Sequence, residues 1–305
     1  AEFAIVKVRA TRIRELARLG PYELLVICPR ETTGLARSLL TVEQGNTKVV
    51  PLSLPVGGDL GKLWFEQIGL PWACHSRQVD LLHVLYLGPP LAKPCRTVLT
   101  IHDLIMLLFP ETRRSLRARA YTRLARVAAR RADLVLADSA STKKDVVSVL
   151  GIPQERIRVV PLGYDETFRP VADAGSLEGV RKKYGLEKEF VFYIGGLDWR
   201  KNLPRLLRAF STINTTRKLA IAGRALSNNR TAFPDLAGLA RDLGIQDRVI
   251  FLGQVPEEDK SLLYSACTVF VFPSLYEGFG LTPLEAMACG APVVCSRASS
   301  LQEVV

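Results

Sequence analysis

The stretch VFPSLYEGFGLTPLEAMACGAPVVCS, Val271 to Ser296, decides the fold. Its apolar start has strand length and stops at Pro273. Gly278 and Gly280 then make a loop where backbone approaches a ligand closely. Thr282 reads as an N-cap, Pro283 as the first helical residue and Glu285 as N3, a capping box. Gly290 ends the helix, and Pro292–Ser296 starts a new strand. Strand, glycine loop, helix and strand form the unit of a parallel α/β sheet. The amides of Gly280, Leu281 and Thr282 stand at the positive end of the helix dipole, a ready anion site. Glu277 and Glu285 flank it. Two carboxylates do not help phosphate binding; they suit sugar hydroxyls.

Outward from this stretch the same alternation repeats. Strands are expected at Phe190–Ile194, Lys218–Ala222, Val249–Leu252 and Thr268–Pro273, with helices at Leu203–Ile213, Leu236–Leu243 and Glu257–Ala266. A second motif, YIGGLDWRKNLPRLLRAF, runs from Tyr193 to Phe210. It too follows a strand and enters a helix. Gly195 and Gly196 allow a tight turn, and Arg200 and Lys201 are adjacent cations before the helix. Taken alone, such a pair is usually a surface feature.

The first half shows the pattern as well. Strands are expected at Glu23–Cys28, Val49–Leu52, Leu81–Leu85, Thr97–Ile101, Leu134–Ala137 and Ile157–Val160. Helices are expected at Arg119–Arg130 and Thr142–Leu150. Pro161–Gly163 is a turn signal, and Val171–Gly179 is polar and small. The reading is therefore a first domain over 1–170, a linker over 171–187 and a second domain over 188–305. Both are Rossmann-like, doubly wound α/β units, with ligand expected in a cleft at the carboxyl ends of their strands.

A chain of 305 residues suits two such domains. The apolar share of 48% and charged share of 23% are ordinary for a soluble globular protein. No apolar run reaches the roughly 18 residues of a membrane span. Residues Ala1–Lys7 lack a basic start followed by an apolar core, so no signal peptide is read. The six cysteines form no C-x-x-C pair and lie mostly in apolar runs, which reads as buried, reduced thiols and favours the cytosol. Cys74-His75 lacks the further ligands of a zinc site.

The net charge is +11, and eight arginines lie between Arg113 and Arg131 with no acid among them. Leu116, Ala120, Leu124 and Val127 recur at helical spacing there, giving an amphipathic helix with a basic outer face. That face is either merely solvated or set against anionic lipid headgroups. No nucleic-acid motif and no interleaved aromatics accompany it, so nucleic acid is not expected as a partner.

The pattern E-G-F-G-L-x-x-x-E is similar to the E-x7-E signature of retaining family 4 glycosyltransferases, which have the GT-B fold. The resemblance implies that Glu277 contacts donor-sugar hydroxyls and Glu285 the ribose; read locally, Glu285 is also a helix cap. The segment from Gly195 matches the family's G-x-x-x-x-R-K-N, which implies that Arg200 and Lys201 hold the donor diphosphate. Positioned cations stabilise the charge that gathers on a departing diphosphate. Gly223 in Ile221–Arg224 resembles the turn beside the nucleotide. Val255 in Leu252–Val255 resembles the segment that meets the base. Each is equally plain turn chemistry. Gly278, Phe279, Gly280, Leu281 and Thr282 complete the implied donor loop. His102, at the end of Thr97–Ile101, stands where the family often has a histidine reaching donor sugar or acceptor. Ala137–Asp145 and Val159–Asp165 also resemble the family, with Ser139 or Ser141 as a helix cap.

Two departures matter. The family opens with a strand and a glycine-rich loop, whereas Ile5–Val8 runs into Arg9–Leu19 without glycine. Relatives also continue past the equivalent of Val305, so the second domain is expected to be incomplete at its C-terminus. The resemblance implies retaining transfer of a hexose from a GDP- or UDP-linked donor, with GDP-mannose expected. The acceptor would be a saccharide or a lipid-linked saccharide. No D-x-D cluster ends a strand, and Arg200 and Lys201 supply countercharge, so neither metal nor cofactor is expected. The expected place is the cytoplasm, peripheral at the inner face of the membrane. The rival readings are a nucleotide-sugar epimerase and an inactive fragment that still binds nucleotide sugar.

Overall fold

A computed structural model of the chain describes residues 23–34, 47–109, 116–224 and 232–305. The expected strand Ile5–Val8, the segment Arg9–Leu19, and Arg113 and Arg114 lie outside them. The chain divides into two units, Ala1–Ala137 with Asp145–Arg158, and Asp138–Lys144 with Val159–Val305.

In the first unit, β1 (Leu24–Pro29) and β2 (Thr47–Leu52) pair in parallel as a sheet of their own. Next, α1 (Gly58–Trp64) continues through a π-helical turn, Phe65–Gly69, into α2 (Leu70–Ser76). A four-stranded sheet then orders β3 (Leu81–Val84), β4 (Arg96–Ile101), β5 (Leu134–Ala137) and β6 (Ile157–Val159) side by side. Between β4 and β5 lie α3 (Ile105–Leu108) and α4 (Leu116–Ala129). After β5 comes α5 (Ala140–Asp145), which up to Lys144 groups with the second unit, and a π-helical turn over Val146–Leu150 continues it in the first. Leu99, Ile101, Val135 and Ala137 are fully buried and, at two-residue spacing and in register, share one face of the sheet.

The arginine-rich helix forms, but it buries a different face from the one its larger apolar residues suggest. Thr122, Ala125, Ala128 and Ala129 point inward, while Leu116 is 81% and Val127 44% exposed. Small side chains let a helix lie closer to its neighbours, and here that outweighs the bulk of leucine and valine. Part of the basic face is also bound. Arg126 donates to the Val149 carbonyl, Arg130 to that of Leu150 and Arg131 to that of Leu91. Two of these carbonyls end the π-helical turn, where backbone acceptors lack helical partners. Arg117, Arg119 and Arg123 stay exposed.

The second unit is built on one five-stranded parallel sheet in the order β11-β10-β7-β8-β9. Its strands are β7 (Phe190–Ile194), β8 (Lys218–Ala222), β9 (Val249–Gly253), β10 (Val269–Phe272) and β11 (Val293–Cys295). Its helices are α6 (Ala174–Tyr184), α7 (Leu203–Ser211), α8 (Leu236–Asp242), α9 (Glu257–Ala266), α10 (Leu281–Ala288) and α11 (Leu301–Val304). Leu203, Leu206, Leu207 and Phe210 of α7 recur at three- and four-residue spacing and are all buried. Each is worth about 1.5–3 kcal/mol relative to exposure. Phe192 sits edge-on to Phe190, Tyr264 and Phe270 at 6.1, 5.8 and 6.0 Å.

The stretch 171–187, read as a linker, contains α6. Asp173 caps it by accepting from the Ser176 amide at 2.7 Å, and Gly185 closes it in a left-handed conformation. The small, polar residues that suggested a linker are this cap and the helix's exposed face. On its other side Val180 is buried, and Lys183 and Tyr184 each reach Asp259 of α9 at 2.6 Å.

Candidate functional site

The strand order places the site. From β7 the chain steps outward to β8 and β9, then returns to the other side of β7 as β10. Loops leaving β7 and β10 therefore diverge from a switch point, where a parallel sheet opens a crevice at its carboxyl edge. The loop after β7 carries Arg200 and Lys201, and the loop after β10 carries Glu277 to Gly280.

The structure joins these two loops directly. Lys201 Nζ lies 2.6 Å from Glu277 Oε1, with the two side chains only 13% and 15% exposed. The same ammonium stands 5.1 Å above the Phe272 ring. Arg200 pairs with Asp198, Nε to Oδ1 at 2.9 Å, and its amide also donates to Oδ1. Its Nη1 is buried and has no hydrogen-bond partner among the described residues. The Arg200 carbonyl accepts from the Leu275 amide at 2.8 Å, which ties the two loops together. Asn202, in a left-handed conformation, donates to the Pro273 carbonyl.

The glycines allow backbone to meet backbone. A Cβ on Gly223 would stand 2.1 Å from the Gly195 carbonyl oxygen, so only glycine fits there. The Gly223 amide in turn donates to Gly253 at 2.7 Å, and Val255 just beyond is buried. Tyr193 donates from its hydroxyl to the Gly196 carbonyl and stacks on Phe272 at 5.9 Å. Burial chiefly pushes the Tyr193 hydroxyl well above its usual range, with Glu277 and Asp198 adding to it and Arg200 opposing.

Ser299 and Ser300 fix the loop after β10. The Glu277 amide donates to Ser299 Oγ, and the Glu277 carbonyl accepts from both hydroxyls at 3.0 and 2.8 Å. The Gly278 carbonyl accepts from Ser139 and Thr142, which group with this unit. Ser139 Oγ accepts from the Thr142 amide at 3.0 Å and so caps α5, and Glu303 adds to it by accepting from the Ala140 and Ser141 amides.

The capping box is corrected. α10 begins at Leu281, with Gly280 as N-cap at φ 116° and no side-chain cap. A left-handed glycine starts the helix one residue before Thr282, and Pro283 falls within the first turn, where a missing N–H is tolerated. Thr282 is thus inside the helix. Glu285 accepts from Tyr264 at 3.3 Å. Gly278, Phe279, Leu281 and Thr282 are half-buried.

His102 follows β4 in the first unit, half-buried. The sequence reading missed His83 beside it, whose Nε2 is 2.8 Å from Thr100 Oγ1. Burial first, and then His102, lowers the His83 pKa. Asp198 was missed as well. Its position two residues before the cations is an Asx-cap signal. All six cysteines are free, four of them buried. No helix among the described residues is long and apolar enough to cross a membrane.

Two tandem α/β units, the second with a cationic turn and a glycine loop meeting at its switch point, define the GT-B class of glycosyltransferase fold. The chain belongs to glycosyltransferase family 4, whose model matches residues 10–168; the model for glycosyl transferases group 1 matches 178–305. O-antigen chain mannosyltransferase B of Escherichia coli is 33% identical over 230 residues, 74% of this chain and 60% of that one. D-inositol 3-phosphate glycosyltransferase of Acidothermus cellulolyticus is 30% identical over 310 residues, 98% of this chain and 63% of that one. The chain thus spans about 60% of the length of these relatives. Among solved structures, Anabaena HepE in complex with UDP and glucose superposes with a TM-score of 0.68 at 22% identity, over 93% of this chain and 83% of that one.

Proposed function

We propose that this chain carries out retaining transfer of a hexose from a nucleoside-diphosphate sugar to a hydroxyl of a saccharide or lipid-linked saccharide. The observation that carries the reading is the buried, unpartnered Nη1 of Arg200 beside the Lys201–Glu277 pair. A buried guanidinium N–H without a partner costs about 1–3 kcal/mol or more, a cost that an anionic ligand removes. Arg200 and Lys201 hold the diphosphate, Glu277 takes sugar hydroxyls, and Glu285 takes the ribose. The Gly280–Thr282 turn adds its amides. His102 serves the sugar or acceptor from the first unit.

As the glycosidic bond breaks, charge grows on the diphosphate, and the two cations stabilise it without a metal. The departing phosphate oxygen takes the acceptor proton on the same face, which retains configuration. GDP-mannose is our donor reading, supported by the mannosyltransferases among the relatives; UDP-glucose is the comparison to run beside it. The peripheral membrane reading draws support from α4, where exposed Leu116 and Val127 are interleaved with Arg117, Arg119 and Arg123.

The test is a thermal-shift panel of GDP- and UDP-sugars on the chain, on Glu277→Ala and on Arg200→Ala with Lys201→Ala. One donor is expected to stabilise the unaltered chain and to lose its effect in the double variant. A shift that survives in that variant removes the diphosphate site.

A further inference from the structure

The first unit holds a polar cluster that this donor chemistry does not use. Glu66 is fully buried in the π-helical turn between α1 and α2. Its Oε1 accepts from the hydroxyls of Tyr86 at 2.8 Å and Tyr121 at 2.9 Å. Lys62 Nζ lies 3.8 Å from the same oxygen and 5.3 and 4.8 Å from the centroids of the two tyrosine rings. Glu66 Oε2 is also buried, and it has no partner among the described residues.

The cluster holds the loop after β3. Tyr86 stands two residues beyond that strand. Gln67 donates to the Pro89 carbonyl and accepts from the Leu91 amide. Gly88 lies against the carboxyl, where an added Cβ would come within 3.0 Å of Oε1 and 2.9 Å of the Tyr121 hydroxyl. The loop at the carboxyl edge of β3 is therefore packed onto Glu66. Carboxyl edges of parallel strands are where such sheets bind ligands, and π-helical turns inside helices gather at functional sites.

A purely structural role does not account for this residue type. A buried carboxyl costs several kcal/mol unless its oxygens are satisfied, and here one oxygen takes both donors while the other takes none. An anion would be repelled by Glu66, and an apolar ligand would leave Oε2 stranded. A sugar offers hydroxyls to the carboxylate, oxygens to the ammonium and C–H faces to the rings. We propose that Lys62, Glu66, Tyr86 and Tyr121 form a saccharide-binding subsite in which Glu66 Oε2 accepts a hydrogen bond from a hydroxyl of the acceptor sugar. The Lys62 side chain, 36% exposed, swings aside to admit it. The assignment of this sugar as acceptor rests on the transferase reading; the subsite itself does not.

Burial raises the Glu66 pKa above the usual carboxylate value, and Lys62, Tyr86 and Tyr121, the titratable groups facing it, oppose this only in part. Ionised Glu66 is the better acceptor, so sugar binding is present above that raised pKa and lost as pH falls through it.

The experiment titrates α-(1→3)-mannobiose into the chain by NMR across pH, with Glu66→Gln and Tyr121→Phe, and runs the GDP-mannose and UDP-glucose thermal shifts in parallel. Glu66→Gln keeps an acceptor for both tyrosines, so the fold is expected to persist. Its affinity for the disaccharide is expected to fall about tenfold or more, the loss of a charge-assisted hydrogen bond, and its pH dependence to vanish. Tyr121→Phe removes one donor from Oε1 and moves the pH midpoint upward, a readout that serves if Glu66→Gln does not fold. The subsite is overturned if Glu66→Gln binds as the unaltered chain does with the same pH profile, if Tyr121→Phe leaves the midpoint unmoved, or if the unaltered chain binds no mannobiose. An absent donor shift with mannobiose binding intact removes the transferase reading and leaves the subsite standing.

Discussion

Replacing Lys201 by methionine leaves the Glu277 carboxylate alone in a site where it is only 15% exposed. At 2.6 Å and an effective dielectric constant of 20, the pair's attraction is about 6 kcal/mol, most of it offset by desolvating both ions. What the single substitution exposes is the uncompensated desolvation, about 3–5 kcal/mol of unit stability. Loss of the ammonium from above Phe272 adds about 0.5–1 kcal/mol. Lys201→Met with Glu277→Gln removes both charges, and more than half of the lost stability is expected to return. Urea denaturation of the four members of the cycle, followed by circular dichroism, measures this. Additive losses in the double variant would refute the idea that the pair is held by mutual neutralisation. The same cycle with donor present separates stability from binding, since the double variant is expected to fold and yet not respond to donor.

Asp259 offers a pH test. Burial pushes its pKa up, but bonds from Lys183 and Tyr184 more than offset this and leave it below the usual aspartate value. Its contribution is therefore present above the unfolded pKa and lost as pH falls through the folded one. Asp259→Asn is expected to destabilise the second unit near neutrality and to match the unaltered chain in acid, by urea midpoints across pH; a gap independent of pH would contradict this. The membrane reading predicts that the chain co-sediments with phosphatidylglycerol vesicles at low salt, and that Arg117→Glu with Arg123→Glu abolishes it. Equal sedimentation of the variant would remove it.

Much of the second unit was legible because its strands carry continuous apolar runs. Phe190–Ile194 and Lys218–Ala222 were placed to the residue, since each is a short apolar run with a charged residue before it and a glycine after it. The two loops of the candidate site were legible as local motifs, and the sheet order explains why they meet. The failures each have a physical source. Thr282 lost the N-cap because φ at Gly280 is set by tertiary packing against Leu301. The inward face of α4 was misread because size was taken as the sign of burial, whereas close packing favoured alanine. His83 and Glu66 went unnoticed because their hydrogen-bond partners lie on other elements, whereas Asp198, two residues before its partner Arg200, left a local signal that was not read. The pairing of Lys201 with Glu277, 76 residues apart, has no local trace at all.

The anchoring of the Gly278 carbonyl also has a consequence in time. Ser139, one of its two donors, precedes it by 139 residues. At ribosomal speeds of about 5–20 residues per second, Ser139 is joined to the chain roughly 7–28 s before its acceptor exists. Water must satisfy that hydroxyl throughout the interval. The loop after β10 therefore sets late in the life of the nascent chain, whatever the order in which the strands behind it assemble.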